Sequence, residues 1–243
     1  MGGGLMLILG ISTSTKQVGC AIGGHEGVLA SSHSARGKRH AENLAPAIDF
    51  VRRQARIELD EISVVAVDIG PGLFTGLRVG IAAAKAMAHA LRVPMIGIPS
   101  LDLLAWPLRH TSREIVAVID ARRGEVFYAR YRPTPGGVQR LHDPVVASPD
   151  DLRADLEATD SEYLIVGDGG LRYADELGGI IRVEVAEQHL AHPNAASLVQ
   201  LAHARAIRED FVQPWQLEPL YLRAPDAEIN WSTREGLTPG EVR

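Results

Sequence analysis

The run Val64-Val65-Ala66-Val67-Asp68-Ile69 breaks off in Gly70-Pro71-Gly72, and an alanine-rich stretch then leads into a second apolar run over 93–98. A strand half open to water alternates apolar with polar side chains, whereas a nearly unbroken β-branched run marks a strand covered on both faces. Two such strands joined by a helix make a parallel pair with a right-handed crossover. The chain is thereby committed to a layered α/β fold. Thr75 stands where an N-cap would open the crossover helix, predicted over 76–91.

Upstream, residues 7–11, 18–22 and 28–34 read as strands parted by the polar turns 12–16 and 23–27, a three-stranded meander. Residues 40–55 carry Leu44, Ala47, Ile48 and Val51 at the spacing of one helical face, with Pro46 tolerable near the start or as a kink. The second half restarts in the same order. Residues 115–120, the turn Ala121-Arg122-Arg123-Gly124 and residues 125–132 form a hairpin in which Ile119-Asp120 matches Ile11-Ser12 and Val126-Phe127-Tyr128 matches Val18-Gly19-Cys20 at one constant offset. Ser148 caps a helix over 149–158, and 162–166 ends in Gly167-Asp168-Gly169-Gly170 as 64–69 ends in Gly70-Pro71-Gly72. Two copies of β-β-β-α-β-α are the plan of the actin and hexokinase superfamily. The alternative is an α/β protein whose hairpins resemble one another as hairpins generally do. On the duplicated reading, residues 6–99 form one lobe and 100–225 a second, reduced one. Residues 1–5 read as a flexible leader and 226–243 as a mobile tail.

Composition narrows the function classes. With 243 residues, 46% of them hydrophobic, the chain can bury a substantial core. Its net charge of −5 argues against a stand-alone nucleic-acid binder, which would hold phosphates through a basic surface. A single cysteine, Cys20, excludes an internal disulfide and multi-thiolate metal sites, and it reads as a small buried hydrophobe in a reducing, cytoplasmic compartment. No apolar stretch approaches the ~20 residues that cross a bilayer, so no membrane association is expected.

In the superfamily plan each strand-turn-strand cradles nucleotide phosphates. Ser12-Thr13-Ser14-Thr15 offers hydroxyls and backbone donors, and Gly70, Gly72, Thr75 and Gly76 lie on the turn expected to face it, but Ser12 stands where a carboxylate would help hold magnesium. Asp120 could serve the second half, or it could be a turn-former bonding its own backbone. Neither a P-loop nor a Gly-x-Ser-x-Gly elbow occurs. His189 and His192 are spaced as a ligand pair, yet Pro193 favours a loop before the next helix. Arg36, Lys38, Arg39 and His40 form one compact basic run, read as a solvated turn or as a contact for an acidic or RNA surface.

Val67-Asp68-Ile69-Gly70-Pro71-Gly72-Leu73-Phe74-Thr75-Gly76-Leu77-Arg78-Val79-Gly80, followed by Ala84-Lys85 and Pro94-Met95-Ile96-Gly97-Ile98, resembles the signature of the TsaB (YeaZ) family. His40-Ala41-Glu42-Asn43-Leu44, Asp120-Ala121-Arg122-Arg123-Gly124-Glu125-Val126 and Pro219-Leu220-Tyr221-Leu222-Arg223 are similar to its further segments, and the resemblance extends over about 6–226. The glycine-proline-glycine stretch is shared mainly with the paralogous catalytic subunit, TsaD. The resemblance implies an actin-like fold of two lobes without catalytic residues, metal or cofactor of its own. It implies a scaffold and activator that pairs with TsaD, while TsaD transfers threonylcarbamoyl to the adenosine next to the anticodon of tRNAs reading codons that begin with A. A TsaE-type ATPase, tRNA reached through the complex, ATP or ADP and a metal ion in the partner complex, and a homodimer when the chain is alone complete the expectation. The catalytic paralogue needs two histidines four apart, whereas His40 is followed at that spacing by Leu44. The family's first strand usually ends Ile-Asp-Thr-Ser; this one ends Ile11-Ser12-Thr13-Ser14.

The expected docking surface joins the helix over 76–91, smooth enough for close helix approach, to the apolar face of the helix over 40–55; the alternative is that both helices use their apolar faces only for the core. Its residues are His40, Leu44, Ile48, Val51, Phe74, Arg78, Ala83 and Ala86. The competing function is an actin-like small-molecule kinase or ATP-binding protein acting alone, with Asp68 or Asp120 as base. A peptidase lacks a credible nucleophile or metal pair.

Overall fold

In a computed structural model, residues 6–35, 40–180 and 182–223 are described, and two mixed sheets carry the fold. β1 (Leu7–Ser12), β2 (Val18–Gly24) and β3 (Gly27–Ser34) form the antiparallel meander, α1 (His40–Ala55) follows, and β4 (Ile62–Asp68), α2 (Phe74–Leu91) and β5 (Met95–Ile98) make the parallel crossover unit. After α3 (Ser100–Ala105) come β6 (Glu114–Arg122), β7 (Glu125–Thr134), β8 (Gly137–Arg140), β9 (Val145–Ala147), α4 (Pro149–Glu157), β10 (Tyr163–Val166), α5 (Asp168–Arg172), α6 (Ala174–Leu177) and β11 (Val183–Val185). The first sheet runs β3-β2-β1-β4-β5 and the second β8-β7-β6-β10-β11, with β9 paired to β7. Position for position the two orders are the same. The duplicated, actin-like plan is therefore the fold, and the second copy is the smaller: the short α5 and α6 stand where the first copy has the 18 residues of α2.

Side chains alternate across each sheet as a pleated strand requires. Leu7, Leu9 and Ile11 of β1 pack with Leu44, Ile48 and Val51 of α1 and with Ile81 and Ala84 of α2. On the opposite face Ile8, Val64, Ala66, Ile96 and Ile98 meet Leu198, Val199 and Ala202 of α7 (Ala195–Ala206). The second sheet buries Ile115, Ala117 and Ile119 against Leu101 and Leu104 of α3, and Val116 and Val118 against Leu152 and Leu156 of α4. The expected boundary of the second lobe at 100–225 therefore needs amending. α7 returns to the first sheet, where Gly10 lets it close in: a Cβ at Gly10 would stand 3.3 Å from the Ala195 carbonyl oxygen. Leu217 is likewise buried in the first core.

Two capping expectations divide. Ser148 caps α4 as expected, reciprocally with Asp151. Thr75 caps nothing, because α2 begins at Phe74 and Thr75 is exposed; the amide of Leu73 instead donates to the Ser14 carbonyl oxygen at 2.6 Å. Cys20 is fully buried in the first core, and burial pushes its thiol up to about 12. Native protein at pH 7.5 is accordingly expected to resist alkylation by iodoacetamide and to label only on unfolding; rapid native labelling would contradict that burial. Among the described residues no helix is long and apolar enough to cross a membrane. The leader, the tail over 226–243 and Arg36, Lys38 and Arg39 lie outside the described residues.

Candidate functional site

The turn from β1 into β2 is where a phosphate would be held, and here it is filled by the protein itself. Ser12, Thr13, Ser14 and Thr15 are all buried. The Thr13 hydroxyl donates to the Gly76 carbonyl oxygen at 2.7 Å, and His40 Nε2 lies 2.7 Å from the Thr15 carbonyl oxygen. The glycines of the signature explain how α2 comes so close. A Cβ at Gly72 would meet the Ser14 carbonyl oxygen, one at Gly76 the Thr13 carbonyl oxygen and one at Gly80 the Thr13 hydroxyl, all well inside the 3.0 Å that real Cβ atoms essentially never breach. Gly76 and Gly80, four apart, lie one above the other on α2, and with Gly72 just before the helix they dock its start directly on the turn.

Asp68, at the end of β4, ties the arrangement together. It is 1% exposed and accepts from Ser12 Oγ (2.8 Å), Ser14 Oγ (2.5 Å), Ser100 Oγ (2.5 Å) and the Gly70 amide (3.1 Å). Burial pushes its carboxyl above the usual range, against the lowering pull of these four donors. Of the expected nucleotide-proximal set, Ser12, Thr13, Ser14, Gly70, Gly72 and Gly76 are thus brought together as a packing junction and not as a ligand cradle, whereas Thr75 stands outside it, exposed. The hydroxyls of Ser12, Thr13 and Ser14 are engaged and the three glycines face backbone or side chain, so these six residues do not fit a phosphate. The sequence reading missed the role of Ser100 and of the glycine spacing; glycines at intervals of four in an otherwise alanine-rich helix were the available signal.

The second hairpin offers no replacement. Asp120 Oδ1 accepts the Arg122 amide at 2.9 Å, the turn-forming alternative, and Oδ2 pairs with Arg122 and Arg172, each at 3.0 Å. Asp168 Oδ1 accepts the Asp120 amide at 3.1 Å, and burial pushes its carboxyl up to about 6, with Asp120 adding to the rise. Its folded value lies above its unfolded one, so its contribution to stability falls as pH rises from about 4 through about 6. Asp168→Asn keeps the acceptor and is expected to raise stability at pH 7 by about 1–2 kcal/mol, less than the whole shift because the carboxyl is only half-buried, with little change at pH 4. Urea unfolding at the two pH values checks this; an equal effect at both would place the shift elsewhere. His189 is exposed beside Glu187, and His192 is half-buried in the loop before α7. Among the described residues no three His, Cys, Asp or Glu side chains are grouped to hold a metal.

The residues expected to face a partner separate into two groups. His40, Leu44, Ile48 and Val51 are buried in the first core or on the turn, because the apolar face of α1 covers its own sheet; as docking residues they are corrected. Arg78 and Ala86 are exposed, Phe74 is half-buried with the Arg78 guanidinium 3.7 Å above its ring, and Ala83 is half-buried against the core. Arg78, Ala82, Ala86 and Ala90, four apart and all exposed, form one open stripe along α2.

The sequence model of the TsaD family, tRNA N6-adenosine threonylcarbamoyltransferase, matches residues 28–159. The tRNA threonylcarbamoyladenosine biosynthesis protein TsaB of Bacillus subtilis is 30% identical over 93% of this chain and 98% of its own length, and that of Escherichia coli is 28% identical over 90% and 95%. An uncharacterized Mycobacterium leprae protein, ML0378, is 34% identical over 98% of this chain, which spans 62% of that relative's length. YeaZ from Pseudomonas aeruginosa superimposes with a TM-score of 0.78 over 90% of this chain and all of its own, at 24% identity, which speaks for the fold. With the glycine signature, the duplicated sheets and full-length similarity to the Bacillus protein in agreement, the chain belongs to the TsaB (YeaZ) family.

Proposed function

We propose that this chain serves tRNA threonylcarbamoyladenosine biosynthesis as a non-catalytic subunit, docking a TsaD-type transferase on the outer stripe of α2. The observation that carries the reading is the closed turn: Asp68 and α2 take up the hydroxyls and the space by which an actin-like lobe would hold phosphate, while the opposite face of the same helix stays open. Chemistry therefore falls to the partner, and with it the nucleotide, the metal ion, the TsaE-type ATPase and the tRNA. Small side chains at Ala82, Ala86 and Ala90 suit close helix-on-helix packing, and without the partner the same stripe can meet a second copy of the chain. The kinase alternative loses support at its base, since Asp68 is sealed by three serines and Asp120 is paired with two arginines.

Light scattering on size exclusion, with the chain alone and mixed with its cognate TsaD, tests the reading when followed by threonylcarbamoyl transfer to tRNA. The expected result is a stable complex, with transfer requiring both chains. Magnesium-dependent turnover of ATP by this chain alone, with no complex, would replace the scaffold by the kinase.

A further inference from the structure

Two peptide crossings join the lobes, one between β5 and α3 and one between β11 and α7. On that side α3 lies in both cores, Leu103 in the first and Leu101 and Leu104 in the second, and Trp106 Nε1 donates to Gln200 Oε1 of α7 at 2.7 Å, so α3 is the pivot about which the lobes can hinge. A further tie follows α7. Val212 exchanges both backbone hydrogen bonds with Met95 at the edge of the first sheet (3.0 and 2.9 Å), and Leu217 is buried in the first core. The Leu220 amide then donates to the Ile69 carbonyl oxygen at 2.7 Å, and the Tyr221 ring stacks on Phe74 with centroids 5.1 Å apart. Beyond it Leu222 packs into the core of the second lobe, while Arg223 pairs with Glu125 at 2.6 Å and donates to the Ala121 carbonyl oxygen at 3.1 Å. Within a dozen residues the chain is anchored in both cores. It runs along a cleft of about 350 Å³ whose walls are 71–75 of the first lobe and the 120–123 turn of the second.

We propose that residues 212–223 are a clasp that fixes the angle between the lobes, so that the chain holds one rigid shape and does not cycle between open and closed forms. The clasp is built from interactions of different kinds on the two sides: backbone pairing and a buried leucine on the first lobe, an apolar contact and a two-bonded arginine on the second. Loss of the second set alone would release the cleft side of the lobes without opening the first core, leaving the contacts of α3 as the pivot. Through the Tyr221–Phe74 stack the clasp also links the start of α2 to the 120–125 hairpin. The inference holds whether or not the chain pairs with a transferase.

Spin labels at Gln54→Cys and Ala158→Cys, exposed sites on α1 and beside α4, report the lobe-to-lobe distance by pulsed electron resonance, and buried Cys20 stays unlabelled. The full-length chain is expected to give one narrow distribution. A chain ending at Leu217 is expected to at least double its width, and the full-length double variant Leu222→Asp with Arg223→Ala to do the same while the Leu220 amide exchanges at least tenfold faster. If the shortened chain fails to fold, the double variant decides. A distribution as narrow as that of the parent, in a folded shortened chain or in the double variant, overturns the proposal.

Discussion

Gly76→Ala is expected to destabilise the protein by about 2–4 kcal/mol, near or above the usual cost of overpacking, although helix propensity alone predicts a gain of about 0.5–1 kcal/mol. The sign turns on what the new methyl would meet. At Gly76 it is the Thr13 carbonyl oxygen, a backbone atom that cannot rotate away. Relief requires the whole turn to shift, yet Ser12 and Ser14 on either side of Thr13 are bonded to Asp68, and the Ser14 carbonyl oxygen accepts from Leu73. At Gly80 the methyl meets the Thr13 side chain rather than backbone: the hydroxyl can swing aside by giving up its bond to Gly76, while the Thr13 Cβ, 3.3 Å away, need give by only a few tenths of an ångström, so Gly80→Ala should cost less. Ala82→Gly, on the exposed side of the same helix, sets the scale for propensity alone at about 1 kcal/mol. Urea unfolding of the three variants gives the order, and for a chain of this size the Gly76 change should lower Tm by very roughly 5–15 °C. A Gly76→Ala protein as stable as the parent would mean that α2 can move off the turn, and the account of the signature as a packing device would fail with it.

The sheet layout was legible because its signal is local and strong. The β-branched run into Gly70-Pro71-Gly72 and the matching run into Gly167-Asp168-Gly169-Gly170 mark the same corner of the two copies, and both Gly70 and Gly167 adopt positive φ there. β8 went unread, since its four residues between Gly136 and Leu141 are largely polar and lie on an edge where neither face need be apolar. The return of α7 to the first sheet could not be seen in the sequence: amphipathic spacing says that a helix has a buried face, not which sheet will bury it. The same limit explains the error at α1. Its spacing identified Leu44, Ile48 and Val51 as one face, and only the contact with Leu9 and Val18 shows that the protein's own core claims it. At the turn, the hydroxyls of Ser12 and Ser14 were visible in sequence, but their acceptor lies more than fifty residues away on β4. A buried carboxylate satisfied by three serines is a tertiary fact.

Ala86→Trp should weaken pairing with the transferase at least a hundredfold, about 2.7 kcal/mol, while leaving Tm almost unchanged. Ala86 is exposed midway along the stripe Arg78, Ala82, Ala86 and Ala90, where an indole would hold a partner helix away from the approach that small side chains permit. Ala83 cannot serve as well, although it belonged to the same expected patch. It is half-buried against the first core, so a tryptophan there mixes loss of packing, about 1–3 kcal/mol, with any loss of pairing. The contrast between the two variants is therefore the informative measurement: Ala83→Trp should lower both Tm and affinity, Ala86→Trp affinity alone. Titration calorimetry against the transferase, beside thermal melts of each free variant, separates the two effects. If Ala86→Trp binds as the parent does, the stripe on α2 is not the contact. Docking would then have to use a different open surface, and the exposed Phe50 of α1 is one apolar landmark for it.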